Sequence, residues 1–197
     1  MKKIIVLILF LIAARTFAQY PILDDSIKKA GIYRTFEEFR DNNPSILVDF
    51  KNSKIKIDSE DREFAKQYGS EAKSIKVYGL NTTESAAKNI GFIFGFCDGK
   101  KIYVSVETER YSNYMSFYEI NYLAPISYYE FMPSDLNDRG AINNAKTINL
   151  RTGKYKNLTV KYLWELISDK PELLERFRKE RNQPAVLKDY LKEYLAK

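Results

Sequence analysis

Phe92-Ile93-Phe94-Gly95-Phe96-Cys97-Asp98-Gly99-Lys100-Lys101-Ile102-Tyr103-Val104-Ser105-Val106 is the stretch from which the rest of the chain can be read. Its first six residues are apolar or aromatic, apart from one glycine. Asp98-Gly99 follows, a dipeptide that supplies positive φ at a tight hairpin turn. Ile102, Val104 and Val106 then alternate with Tyr103, Ser105 and Glu107, the two-residue period of a strand. The stretch reads as a β-hairpin, with Ile90–Cys97 as its first strand.

Downstream, 117–123 and 126–131 read as two more strands around Ala124-Pro125. Pro125 suits the connection, because it cannot donate to a central ladder. Residues 133–145 form an Asp/Asn/Ser loop, and 147–150 with 154–158 flank Thr152-Gly153 as a second hairpin. Upstream, 74–80 reads as a strand with Ile75 and Val77 on one face. Lys54-Ile55-Lys56-Ile57 alternates strictly, and 45–50 is an apolar strand. Residues 58–70 are polar and fit a strand or a short helix, since Phe64 and Tyr68 stand at i, i+4. Thr35-Phe36-Glu37-Glu38 has the form of a capping box. It opens a short helix with Phe36, Phe39 and Tyr33 on its apolar face, and Asn43-Pro44 stops it.

From Thr159 the period becomes helical. Leu163, Leu166 and Ile167 form one stripe. Pro171 and Pro184 each open a helix, where a missing N–H costs nothing. Val186, Leu187, Tyr190, Leu191, Tyr194 and Leu195 line the last one. Strands in the middle and helices at the end predict an α+β fold rather than alternating βαβ. The expected architecture is an antiparallel, strongly curled sheet packed on a short N-terminal helix and a C-terminal helical segment. A closed β-barrel with terminal helices is the alternative.

Met1-Lys2-Lys3 precedes an unbroken apolar run, Ile4–Ala14, and then Thr16-Phe17-Ala18. That is the pattern of a secretory signal peptide over residues 1–18, with the mature chain starting at Gln19. The run is shorter than the roughly 20 apolar residues of a membrane span. No transmembrane anchor is therefore expected after cleavage, and residues 19–197 have the length of a single domain. Its single cysteine, Cys97, permits no internal disulfide. Without the leader, 29 basic and 26 acidic residues remain, a net charge of +3. They are interleaved, so no nucleic-acid partner is expected.

The chain has no histidine. That removes Ser-His-Asp and Cys-His hydrolases, His-ligated zinc and the usual neutral-pH acid–base residue. No cofactor, metal site or catalytic residue is assigned. Carboxylate-only chemistry such as glycoside hydrolysis survives this filter, because it needs only two acids across a cleft. Glu107 and Glu109, or Glu60, Asp61 and Glu63, are the candidates. Asp135-Leu136-Asn137-Asp138-Arg139-Gly140 begins like a calcium loop, but Arg139 and Lys146 stand where oxygen ligands are required. Tyr111, Tyr114, Tyr118, Tyr122, Tyr128 and Tyr129 crowd one region. Exposed, they would make a platform for sugars or peptides; half-buried, they would be ordinary strand packing.

Three phrases also carry a family resemblance: Gly31-Ile32-Tyr33-Arg34-Thr35-Phe36-Glu37-Glu38-Phe39, Gly95-Phe96-Cys97-Asp98-Gly99-Lys100-Lys101-Ile102-Tyr103 and Leu150-Arg151-Thr152-Gly153-Lys154. With the amphipathic end at Tyr190-Leu191-Lys192-Glu193-Tyr194, the chain resembles an uncharacterised family of exported proteins common in Bacteroides-like and Flavobacterium-like bacteria. The resemblance carries over no functional residue. It implies a bacterial envelope setting, periplasmic or secreted. The expectation is a non-enzymatic exported binding or interaction module, with a glycan or an envelope protein as partner and the six tyrosines as its contact surface. The alternatives are a carboxylate-only hydrolase and a structural envelope component that docks a protein through an exposed Leu191 and Leu195.

Overall fold

The computed structural model of the chain describes residues 20–24, 28–65, 72–105, 116–131 and 145–196. The leader read over residues 1–18 lies outside them. The central hairpin is present as β5 (Gly95–Cys97) and β6 (Ile102–Ser105), with Cys97 opposite Ile102. Its turn is set by Asp98, whose Oδ1 accepts from the backbone N–H of Lys100 and of Lys101, each at 2.7 Å. Gly99 takes the positive φ, +95°.

The sheet grows from this hairpin in both directions. On the β5 side come β1 (Gly31–Tyr33) and then β2 (Ile46–Leu47). On the β6 side come β7 (Phe117–Tyr122), β8 (Ile126–Glu130), β9 (Ala145–Asn149) and β10 (Tyr155–Asn157). A long hairpin, β3 (Lys56–Ala65) with β4 (Ala72–Asn81), joins through Tyr78 opposite Phe117. All pairings are antiparallel. The five α-helices among the described residues are α1 (Phe36–Arg40), α2 (Glu84–Ile90), α3 (Val160–Leu166), α4 (Pro171–Arg178) and α5 (Gln183–Leu195). The fold is α+β.

The sheet does not close into a barrel; its path ends at β10 and at β2. It does curl until side chains from distant strands meet. Tyr155 of β10 lies 6.2 Å, ring to ring, from Phe94, beside β5. A Cβ on Gly153 would stand 2.8 Å from the Phe36 ring. Aromatic packing closes the curl without a backbone ladder.

Every residue of β1, β5 and β6 is buried. On one face Tyr33, Cys97, Val104, Tyr118, Tyr129 and Ile148 pack with Phe39 of α1. On the other, Ile32, Phe96, Tyr103 and Phe117 pack with Val48 and Ile90. A third core lies between Ile126 and Tyr128 of β8 and the helices, through Leu163, Ile167, Phe177, Leu187 and Leu191. Thr35 caps α1 as expected, accepting from the backbone N–H of Glu38 at 3.2 Å, and Thr159 caps α3, accepting from that of Tyr162 at 3.1 Å.

Several local expectations change, and one open alternative is resolved. Residues 84–90 form a helix; Thr83 caps it at Ala86 N–H, and Gly91, at φ +70°, ends it. The first strand of the central hairpin is accordingly only Gly95–Cys97. The ambiguous stretch from Asp58 is strand as far as Ala65, because its ten-residue ladder to β4 outweighs the weak Phe64/Tyr68 helical signal. Residues 45–50 supply only a two-residue edge strand, and Tyr33 lies on β1, with its ring edge-on to Phe39 at 5.9 Å.

Candidate functional site

The first half of β7 has neighbours on both sides. Phe117 pairs with Ser105 of β6 on one edge and with Tyr78 of β4 on the other. From Ile120 onward β8 takes the edge that β4 held, so β4 diverges. A cleft of about 130 Å³ opens at that split, lined by Ser74, Ile75, Lys76, Tyr78, Glu119, Asn121 and Glu130. Strand parity explains the polar lining. Tyr118 and Ile120 face the core, so Glu119 and Asn121 face away from it. Asn121 is the extra residue of a bulge between Ile120 and Tyr122, and bulges re-aim side chains. Its Oδ1 accepts from Glu130 N–H at 2.8 Å.

Both carboxylates of the cleft are held. Glu119 Oε2 accepts from Lys101 Nζ at 2.9 Å and from the Tyr78 hydroxyl at 3.2 Å. Glu130 accepts from Lys188 of α5, an ion pair that ties the helical layer to β8. Tyr78 backs on Tyr103, centroids 4.5 Å apart, and the Tyr103 hydroxyl donates to Asp98 Oδ2 at 3.1 Å. The result is a fixed set of acceptors and donors, with Lys76 exposed at its rim.

Four of the six tyrosines expected to form a contact platform are placed differently. Tyr118 and Tyr129 are 2% and 0% exposed and stack on each other inside the curl. Tyr128 is buried under the helices, and Tyr122 is half-buried, 6.0 Å away. These four do not form an exposed aromatic surface, because β8 has a core on each of its faces. Tyr111 and Tyr114 lie outside the described residues, as do Glu107, Glu109 and residues 135–144 of the calcium-like loop. Glu60, Asp61 and Glu63 are exposed on β3. Leu191 is fully buried and Leu195 half-buried in the helical core, so neither is an open docking residue. Cys97 is fully buried, and burial pushes its thiol up, away from the thiolate a nucleophile needs. Among the described residues no group of three or more acidic or cysteine side chains is placed to hold a metal ion. No described helix is long and apolar enough to cross a membrane.

Sequence reasoning missed the cleft. Glu119 sits on β7, whose partner β4 is 41 residues away in the Tyr78–Glu119 contact, and Glu130 comes from the next strand, β8. The available signal was parity: an acid beside Tyr118 must face away from whatever buries that ring.

The phenols give a pH signature. Burial first, then the neighbouring Glu119 carboxylate, pushes Tyr78 up to about 12 from an ordinary 10.0. Burial also raises Tyr33 and Tyr103, the latter aided by Asp98. A raised folded-state value means full stabilisation below the unfolded value, lost as pH climbs from there toward the folded value. The urea midpoint is therefore expected to be insensitive to these phenols below about pH 10. Above it, the midpoint should fall steadily toward pH 12. Tyr78→Phe and Tyr103→Phe should flatten that fall; equal slopes in wild type and variants would mean that the phenols ionise freely in the folded chain.

No family model, no curated protein and no solved structure matches the chain. The geometry of the cleft is therefore what any functional reading has to rest on.

Proposed function

We propose that the protein is an exported, non-enzymatic binding module of the cell envelope, and that the cleft between β4, β7 and β8 takes the hydroxyl-rich end of a glycan. The observation that carries this is the convergence of Glu119, Glu130, Asn121, Ser74 and Lys76 on one small cleft. A few fixed polar groups in a concavity are what orient a polar ligand. Sugar hydroxyls both donate and accept, so they suit a site that mixes carboxylate, amide and ammonium groups. The lysine partners of Glu119 and Glu130 favour binding over catalysis. A carboxylate-only glycosidase needs one free nucleophile or base and one raised acid, whereas both acids here are ion-paired.

A glycan and peptidoglycan-fragment screen on the mature protein from Gln19 tests the reading, with Glu119→Gln and Lys76→Met beside it. A hydrogen bond to a charged group is worth about 1.5–3 kcal/mol, so each variant should weaken a bound glycan roughly ten- to hundredfold. Neither substitution touches the core. Absence of any glycan ligand, or affinity unchanged in both variants, would remove the cleft as a sugar site. Release of reducing sugar in the same assay would turn the reading toward the carboxylate hydrolase.

A further inference from the structure

Native sheets keep their open edges short, charged or covered. Two edges of this sheet are short: β2 has two residues and β10 has three. The third, β3, is charged rather than short: it runs for ten residues in unbroken register with β4. Among the described residues nothing pairs with its outer side. Its partner β4 is anchored, because Ile75 and Val77 are sunk in the main core. From Asp58 to Glu63 every side chain of β3 is exposed. With no described partner on its outer side, the strand presents a row of backbone donors and acceptors there, the template to which an extended segment adds as a further strand.

Charge selects the occupant. Asp58, Glu60, Asp61 and Glu63 face a single cation in that run, Arg62, which is paired to Glu60. A second copy of this chain fits badly. A two-fold antiparallel pair centred on the exposed run sets Asp58 against Glu63 and Glu60 against Asp61, and like charges directly opposite are destabilising. A segment rich in Lys and Arg meets the same positions with opposite sign. We infer that the outer edge of β3 is a docking edge for an extended basic segment of a protein partner, which joins the sheet as an added strand. The inference goes beyond the glycan reading, stands on different residues, and survives if the cleft binds nothing.

The test uses the full mature chain and a fluorescent octapeptide of alternating Lys and Val. Binding is read by anisotropy at low salt, and location by amide hydrogen exchange. The expected result is binding with new protection confined to 56–65. Affinity should fall about tenfold or more when alternate peptide amides are N-methylated, since added strands are held by main-chain hydrogen bonds. It should fall similarly with Glu60→Lys/Glu63→Lys, a surface change whose fold is checked by circular dichroism. Absence of binding overturns the inference. So does equal affinity for the methylated peptide, which would mean diffuse electrostatics. Protection at the cleft strands, or a dimer of the free chain that pairs through β3, overturns it as well.

Discussion

Tyr118→Ala is expected to destabilise the fold strongly rather than to weaken binding. The ring is 2% exposed, stacks on Tyr129 at 6.1 Å and belongs to the core inside the curl, with Tyr33, Val104 and Ile148. Truncating a buried aromatic to alanine costs about 3–5 kcal/mol, the lost transfer energy plus the cavity left behind. Domains of this kind are stable by only about 5–15 kcal/mol, so one such change removes a large share of the total. The urea midpoint of Tyr118→Ala should drop sharply, with a smaller loss for Tyr118→Phe, which keeps the ring. A contact-surface tyrosine would behave in the opposite way: an unchanged midpoint with altered ligand affinity. An unchanged midpoint for Tyr118→Ala would place the ring outside the core and restore the aromatic platform.

That contrast marks where sequence reasoning ends. The central hairpin, the hairpin at Gly153, the Thr35 cap, the start of helical period at Thr159 and the segregation of strands from helices were legible, because local period and turn chemistry set them. The helix at Glu84–Ile90 was not. Only Ile90 on it is buried, so it has no apolar stripe, and its sole signals were the Thr83 cap and Gly91. Parity placed Tyr118 and Glu119 on opposite faces of one strand. Which face is wet depended on α1 and β9, elements far away in sequence. The cleft was illegible for the same reason. It exists because β4 and β8 compete for one edge of β7, and nothing within 117–130 announces β4.

Gly95→Ala should be the most damaging of the single-methyl changes. A Cβ at Gly95 would stand 2.3 Å from the Tyr103 carbonyl oxygen and 3.3 Å from Val104 Cα, both backbone atoms of β6. Backbone cannot rotate away as a side chain can, so β5 and β6 would have to separate. That hairpin carries Phe96 and Tyr103, stacked at 4.7 Å, and it links the two halves of the sheet. Overpacking a tight core costs typically about 1–3 kcal/mol, and the rigid obstacle puts Gly95→Ala at or above the top of that range. Gly79→Ala is the matched control. The same methyl meets nothing within 4 Å there, on the half-exposed β4. With no clash, the stiffer unfolded chain should raise stability by about 0.5 kcal/mol. The two variants differ from wild type by the same atoms, so opposite shifts in urea midpoint would isolate the close approach of β5 to β6. Equal, small shifts would show that the strands can part at little cost, and would remove the packed hairpin as the fold's centre.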